Sequence, residues 1–256
     1  MRSRSSRPSR RALVQGSLAV LAGARIPHLR RPSDEWRVAV VGLNGRGADH
    51  VEALRTLPGV RVVALCDVDD LVLARAAKKL RENGPRADTH SDFRHVLERK
   101  DVDAVSLATP NHWHALQTIW ACQAGKDVYV EKPVTHSFAE GAPLITAARK
   151  HGRIVQCGMQ SRCSPALREA IEWVRAGNLG ALQLVRGLCY KPRPSIGLSK
   201  GNQKLPDSVD YDLWCGPAPL LPLRRARLHY DWHWSFATGD GNVVTAAAEG
   251  GGGLTG

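Results

Sequence analysis

The chain has 256 residues, 43% hydrophobic and 23% charged, an ordinary globular balance with length for one large domain or two modest ones. Its formal net charge of +12 is concentrated at one end, because eight arginines precede the first acidic residue, Asp34, and 12 less those eight leaves +4. That distribution argues against the basic stripe of a nucleic-acid binder, and six cysteines without a C-x-x-C pair argue against a zinc ribbon or a thioredoxin-like pair.

Residues 1–11 are rich in Arg and Ser, an apolar run follows from Ala12 to Ala24, and Ala22-Gly23-Ala24 offers an A-x-A cleavage site. This is the plan of a secretory signal, and the run is short for a membrane span. Ser9-Arg10-Arg11-Ala12-Leu13-Val14 resembles a twin-arginine motif with Leu13 in the usual Phe position. The alternative is a disordered basic tail. The first reading makes residues 1–33 a signal and linker handled by twin-arginine export machinery, with a periplasmic or extracytoplasmic destination. The cysteines are then either small buried hydrophobes or disulfide partners.

After Pro32-Ser33, apolar strand patterns alternate with helical ones. Trp36–Val41 is the first expected strand and Arg46–Leu57 the first helix, stopped by Pro58-Gly59. Val60–Leu65 is a second strand, and Asp69–Glu82 a second helix before Asn83-Gly84. Further strands are expected at Asp103–Ala108, Asp127–Val130 and Arg153–Cys157, with helices over Asn111–Ala124 and Ser137–Lys150. Alternation on this scale implies βαβ crossovers and a doubly wound parallel sheet of the Rossmann type over residues 34–158.

Ligands of such sheets bind beyond the carboxyl ends of the strands, and the unusual polar clusters fall there. Gly42-Leu43-Asn44-Gly45-Arg46-Gly47 follows the first strand, with Asn44 where a dinucleotide fingerprint has its second glycine. Gly42 suits the tight turn, Gly47 a close helix–strand approach, and Gly45 adds a flexible position so that backbone N–H groups can meet a pyrophosphate. Asp67, 25 residues after Gly42, is either the acid that binds the adenosine ribose or a solvated loop aspartate. In the first role its charge would repel a 2′-phosphate and favour NAD over NADP. Thr109-Pro110-Asn111-His112 and Glu131-Lys132-Pro133 end two more strands. Lys132 either places an ammonium in a cleft or ends an ordinary strand.

G-L-N-G-R-G, Cys66-Asp67, T-P-N-H-W-H at 109–114 and E-K-P at 131–133 together resemble the Gfo/Idh/MocA oxidoreductase family over about Trp36 to His233. The resemblance implies that Lys132 is the catalytic lysine and that Lys132-Pro133 is a cis peptide. It places Gly42, Asn44, Gly45, Arg46, Gly47, Asp67, Thr109, Glu131, Pro133 and Gln160 around NAD, with NADP the alternative, and Asn111 and His112 near the nicotinamide. His114 is read as a helix residue. The implied activity is hydride transfer to or from a sugar, polyol or related hydroxyl compound. NAD-dependent glycoside cleavage or epimerisation without net redox change is an alternative, as is a non-catalytic dinucleotide-binding remnant.

Residues 159–256 read as an incomplete α+β substrate domain. A helix is expected over Pro165–Ala176 and a strand over Ala181–Tyr190. Arg162, Tyr190 and His233, and more weakly His229, are candidates to meet a carbohydrate-like substrate, with packing as the alternative. After Trp234 no histidine occurs, and the chain passes into Ala/Gly-rich sequence where family members carry an acid–base helix and a sheet used for homo-oligomerisation. A truncated or frameshifted product is therefore expected.

Overall fold

The computed structural model describes residues 35–188, 195–199 and 201–241, so the signal reading of residues 1–33 and the positions Cys189 and Tyr190 lie outside the described residues. Six strands form one parallel sheet: β1 (Trp36–Val41), β2 (Val60–Cys66), β3 (Asp88–His90), β4 (Ala104–Leu107), β5 (Asp127–Glu131) and β6 (Val155–Gly158), in spatial order β3-β2-β1-β4-β5-β6. This is the doubly wound Rossmann arrangement.

Side-chain alternation splits the core between the two faces of the sheet. Val40, Val62 and Leu65 pack with α1 (Arg46–Arg55) and α2 (Asp70–Asn83) through Val51, Val72, Leu73 and Leu80. Ala39, Val41, Val105, Leu107, Val128 and Val130 pack on the other face, against α3 (Phe93–Glu98), α4 (Asn111–Gln123) and α5 (Gly141–His151). The β1–β2 register skips Val63, so the consecutive residues Val63 and Ala64 both join this second cluster. A bulge of that kind turns one strand against its neighbour.

The expected elements recur with their ends moved by a residue or two, and the shifts have local causes. Asp69 is the N-cap of α2 rather than its first residue, its carboxylate accepting the Leu71 and Val72 N–H groups. The start of the Ser137–Lys150 helix is a 3₁₀ turn, Phe138–Glu140, closed by a Ser137/Glu140 capping box. β3 and α3, with three and six residues, were not expected; both are too short to show a period.

The second half departs further from expectation. α6 (Pro165–Arg175) forms with no buried residue. Residues 181–188 run as exposed irregular chain instead of a strand, because no described segment pairs with them; Leu184 is 65% and Leu188 64% exposed. Among the described residues after Gly158 there is no strand, only an isolated antiparallel bridge from Val209 to Asp69. That bridge begins a docked segment. α7 (Tyr211–Cys215) and α8 (Leu228–Asp231) form a small core of Trp214, Cys215, Leu223 and Leu228 with Val68, on the loop after β2.

Candidate dinucleotide site

A cleft of about 750 Å³ opens along the carboxyl ends of β1, β2, β4 and β5, and the four predicted loops meet in it. The first is shaped by backbone contact. Gly42, at φ +77°, donates its N–H to Cys66 O at 2.9 Å, and a Cβ there would stand 2.8 Å from the Ala108 carbonyl. A Cβ on Gly47 would stand 1.6 Å from Gly42 O, so α1 rests directly on the turn that precedes it. Gly45 caps α1 at φ +61° with open space around it and no side-chain cap. A helix start without a side-chain cap suits an anion at the positive end of the helix.

Asn44 is drawn aside, its amide oxygen accepting from Arg75 Nη2 at 3.0 Å. Arg46 donates from Nε to Glu131 Oε1 at 3.0 Å and from Nη1 to Asp49 at 3.2 Å. Asp67 is no solvated loop residue. It is 8% exposed, and its two oxygens accept the Leu43 N–H at 2.7 Å and the Asp69 N–H at 3.0 Å. Burial pushes its carboxyl above the usual range, opposed by those two N–H groups. A carboxylate offers about four acceptor positions, so some remain for ribose hydroxyls. The glycine loop, the open helix end and this acid together fit the adenosine and pyrophosphate of a dinucleotide.

At the other end of the cleft the Lys132–Pro133 peptide is cis, and Glu131, Lys132 and Gln160 all line the wall. Gln160 opens the 3₁₀ turn Gln160–Cys163 after β6. Thr109 donates its hydroxyl to Gln117 Oε1 at 2.8 Å. Asn111 lines the cleft and donates to Asp240 Oδ2 at 2.9 Å, with His136 Nδ1 3.0 Å from the other Asp240 oxygen. His112 has Thr238 O 3.1 Å from Nδ1 and Trp214 O 3.0 Å from Nε2. The structure thus gives His112 the work of fastening the second half of the chain to α4. Of the other substrate candidates, His233 lines the cleft, stacked on Trp232 at 3.7 Å, while Arg162 is exposed on its turn. His229 lines it too and is bonded to Asp69 at 2.7 Å.

Several residues that shape the site carry no local sequence signal. His50 reaches Glu131 and is itself bonded to Ser106, and His114, read from the sequence only as a helix residue, holds the carbonyls of Thr109 and Pro133. Trp113, Trp120 and Phe93 add an aromatic wall. The thiols of Cys66, Cys122 and Cys215 are buried and that of Cys163 is exposed, all five described cysteines being unbridged. Burial pushes the Cys66 thiol well up, so it acts as a packing group.

The chain resembles known proteins over the same stretch. A glycosyl hydrolase family 109 protein of Shewanella sp. (strain ANA-3) is 35% identical over 175 residues, covering 65% of this chain and 38% of that protein. An inositol 2-dehydrogenase of Salmonella typhimurium is 31% identical over 156 residues, covering 60% of this chain and 46% of that one. Among solved structures, scyllo-inositol dehydrogenase from Lactobacillus casei with bound NAD(H) and scyllo-inositol superposes with a TM-score of 0.54 at 26% identity, covering 57% of this chain and 43% of that one. The chain thus spans less than half the length of each of these relatives. The model of the oxidoreductase family with an NAD-binding Rossmann fold matches residues 36–159, which contain the sheet and all four loops. Residues 36–159 of this chain thus resemble that oxidoreductase family, and the parallel sheet they form is a Rossmann-type fold.

Proposed function

We propose that the chain holds NAD for an oxidoreductase that moves hydride between the nicotinamide and a hydroxyl of a sugar or polyol. The observation that carries this is the meeting of the glycine loop, Asp67 and Glu131-Lys132 in one cleft. The α1 N-terminus would receive the pyrophosphate, and the buried Asp67 carboxylate the ribose hydroxyls, while opposing a 2′-phosphate. When bound, NAD supplies the hydride acceptor or donor. Lys132, which lines the same cleft, would hold or move the proton of a substrate hydroxyl at its Nζ.

Calorimetry with NAD and NADP, then NADH absorbance across a panel of inositols and sugars, tests this reading. We expect Lys132→Met to keep NAD affinity within about threefold and to cut turnover by about 10²–10⁴-fold. Turnover within threefold of the parent would remove the lysine from the chemistry. A wild-type chain that binds neither dinucleotide would end the reading altogether.

The family 109 match extends over more of this chain than the inositol dehydrogenase match, 175 residues against 156, and this favours a second reading. In it, bound NAD assists glycoside cleavage with no net redox change. Product from an aryl glycoside without added NAD separates the two. We further propose that residues 1–33 address the protein to the twin-arginine route. A native mass spectrum of exported protein would show the signal removed, and an uncleaved chain retained in the cytoplasm would contradict it.

Asp67 gives the site a pH dependence whose sign is fixed by its environment. Its folded pKa is raised, so the folded chain holds that proton more tightly than the unfolded chain does. The associated stability is present below the ordinary carboxylate pKa and is lost as pH rises through the raised value. Ribose binding needs the ionised form. NAD affinity should therefore begin to fall at a higher pH than an ordinary aspartate would dictate, as pH is lowered from about 7 toward 4. Calorimetry on Asp67→Asn should give weaker binding with that slope removed. An unchanged slope would assign the pH dependence to another group.

A further inference from the structure

Beside Lys132, side chains from α1, β4 and β5 form one hydrogen-bonded chain. Ser106 Oγ is 2.9 Å from His50 Nδ1, His50 Nε2 is 2.9 Å from Glu131 Oε1, and Arg46 Nε donates to that same oxygen at 3.0 Å. Ser106, His50 and Glu131 are 3%, 7% and 5% exposed. A carboxylate only accepts, so His50 Nε2 carries a hydrogen, and Nδ1 faces the Ser106 hydroxyl. Each donor in the chain then meets an acceptor. Gly158 makes room for it, since a Cβ there would stand 2.9 Å from both Glu131 Oε1 and the Tyr129 hydroxyl.

The order serine, histidine, carboxylate is that of a nucleophilic triad. Here the serine is inside β4 and away from the cleft wall, so the array has no substrate to attack. Its exposed end is Arg46, which belongs to the glycine loop, lines the cleft and has 41% of its side chain accessible. One guanidinium therefore stands between a buried carboxylate and the loop where a pyrophosphate would lie. The carboxylate is kept ionised there: burial pushes Glu131 up, and His50 and Arg46 outweigh it to hold it below the usual range.

We propose that Glu131 is a positioning residue which, held by Ser106 and His50, shares the Arg46 guanidinium with the cofactor pyrophosphate and so couples cofactor arrival to the placement of Lys132. This rests on the dinucleotide reading of the cleft. With its internal anion present, Arg46 is partly neutralised. Removing that anion leaves only the exposed Asp49 on the guanidinium and turns more of its charge toward the ligand, while removing His50 leaves Arg46 as the main counter-charge of Glu131 and draws it inward.

The test is calorimetry of ADP-ribose binding to the whole chain, with imidazole ¹⁵N spectra recorded alongside. Glu131→Gln should bind ADP-ribose roughly two- to fivefold more tightly, and His50→Leu about three- to tenfold more weakly. His50→Gln, which keeps a donor toward Glu131, should restore most of the affinity. In the wild type, His50 should show the Nε2–H tautomer, with its ¹⁵N shifts moving as ADP-ribose is added. Equal weakening by Glu131→Gln and His50→Leu would overturn the proposal in favour of a plain scaffold. If a variant does not fold, the wild-type spectra decide alone, and shifts that stay fixed at saturation overturn it. A wild-type chain that binds no ADP-ribose fails at the earlier step, the dinucleotide reading itself.

Discussion

Gly47→Ala should abolish dinucleotide binding and destabilise the chain by more than about 3 kcal/mol, the upper range for forcing extra volume into a packed site. The added carbon would stand 1.6 Å from Gly42 O, an atom of rigid backbone with no rotamer to escape into. Relief requires α1 to lift off the turn, which misaims the N–H groups at its start. Gly45→Ala is the matched control. It has open space but φ +61° and ψ −113°, so its cost is backbone strain of about 1–3 kcal/mol without a clash. Urea unfolding and NAD calorimetry on both variants give the comparison. Equal losses at the two positions would mean that the close approach of α1 to the turn is not what shapes the loop.

That glycine was readable because its reason is local. A turn between strand and helix must be tight, and the glycines needed for it lie within six residues of one another. The strand β1 was readable for the same cause, the unbroken apolar run from Val38 to Val41, buried throughout. Elements whose cause is distant were not readable. The skipped Val63 shows only when β2 is laid against β1. The apolar residues of 181–188 carry a strand-like alternation, but a strand also needs a neighbour to take its backbone hydrogen bonds, and no alternation supplies one. The candidate site divides in the same way. Gly42, Asp67 and Lys132 sit at strand ends and announce themselves. His50, 81 residues from Glu131, and Asp240, 129 residues from Asn111, look like ordinary surface-compatible polar residues until the sheet and the docked segment bring them together. His112 has a sequence position that suits the nicotinamide, yet its two ring nitrogens are claimed by carbonyls from the chain's second half.

His114→Leu tests the other link that sequence alone did not mark. The ring is 1% exposed, with Nδ1 2.6 Å from Pro133 O and Nε2 2.7 Å from Thr109 O, so it joins two walls of the cleft. Burial pushes its pKa down, against the pull of the two carbonyls and of Glu131 and Asp240, and the neutral ring donates to one carbonyl at a time. Leucine fills similar space but leaves a buried carbonyl without a partner. The expected cost is about 2–4 kcal/mol from the lost hydrogen bond and the imperfect fit. The pH dependence follows from the depressed pKa: the unfolded chain takes up the proton first, so wild-type stability should decline as pH falls below about 6.5, and His114→Leu should lack that part of the decline. NAD affinity should fall about tenfold in the same variant, because the Thr109 loop and the Pro133 turn are no longer held to a common point. A loss of stability with unchanged NAD affinity would reduce His114 to packing. A joint loss would make it the latch that keeps the glycine-loop side and the Lys132 side of the cleft at a fixed separation.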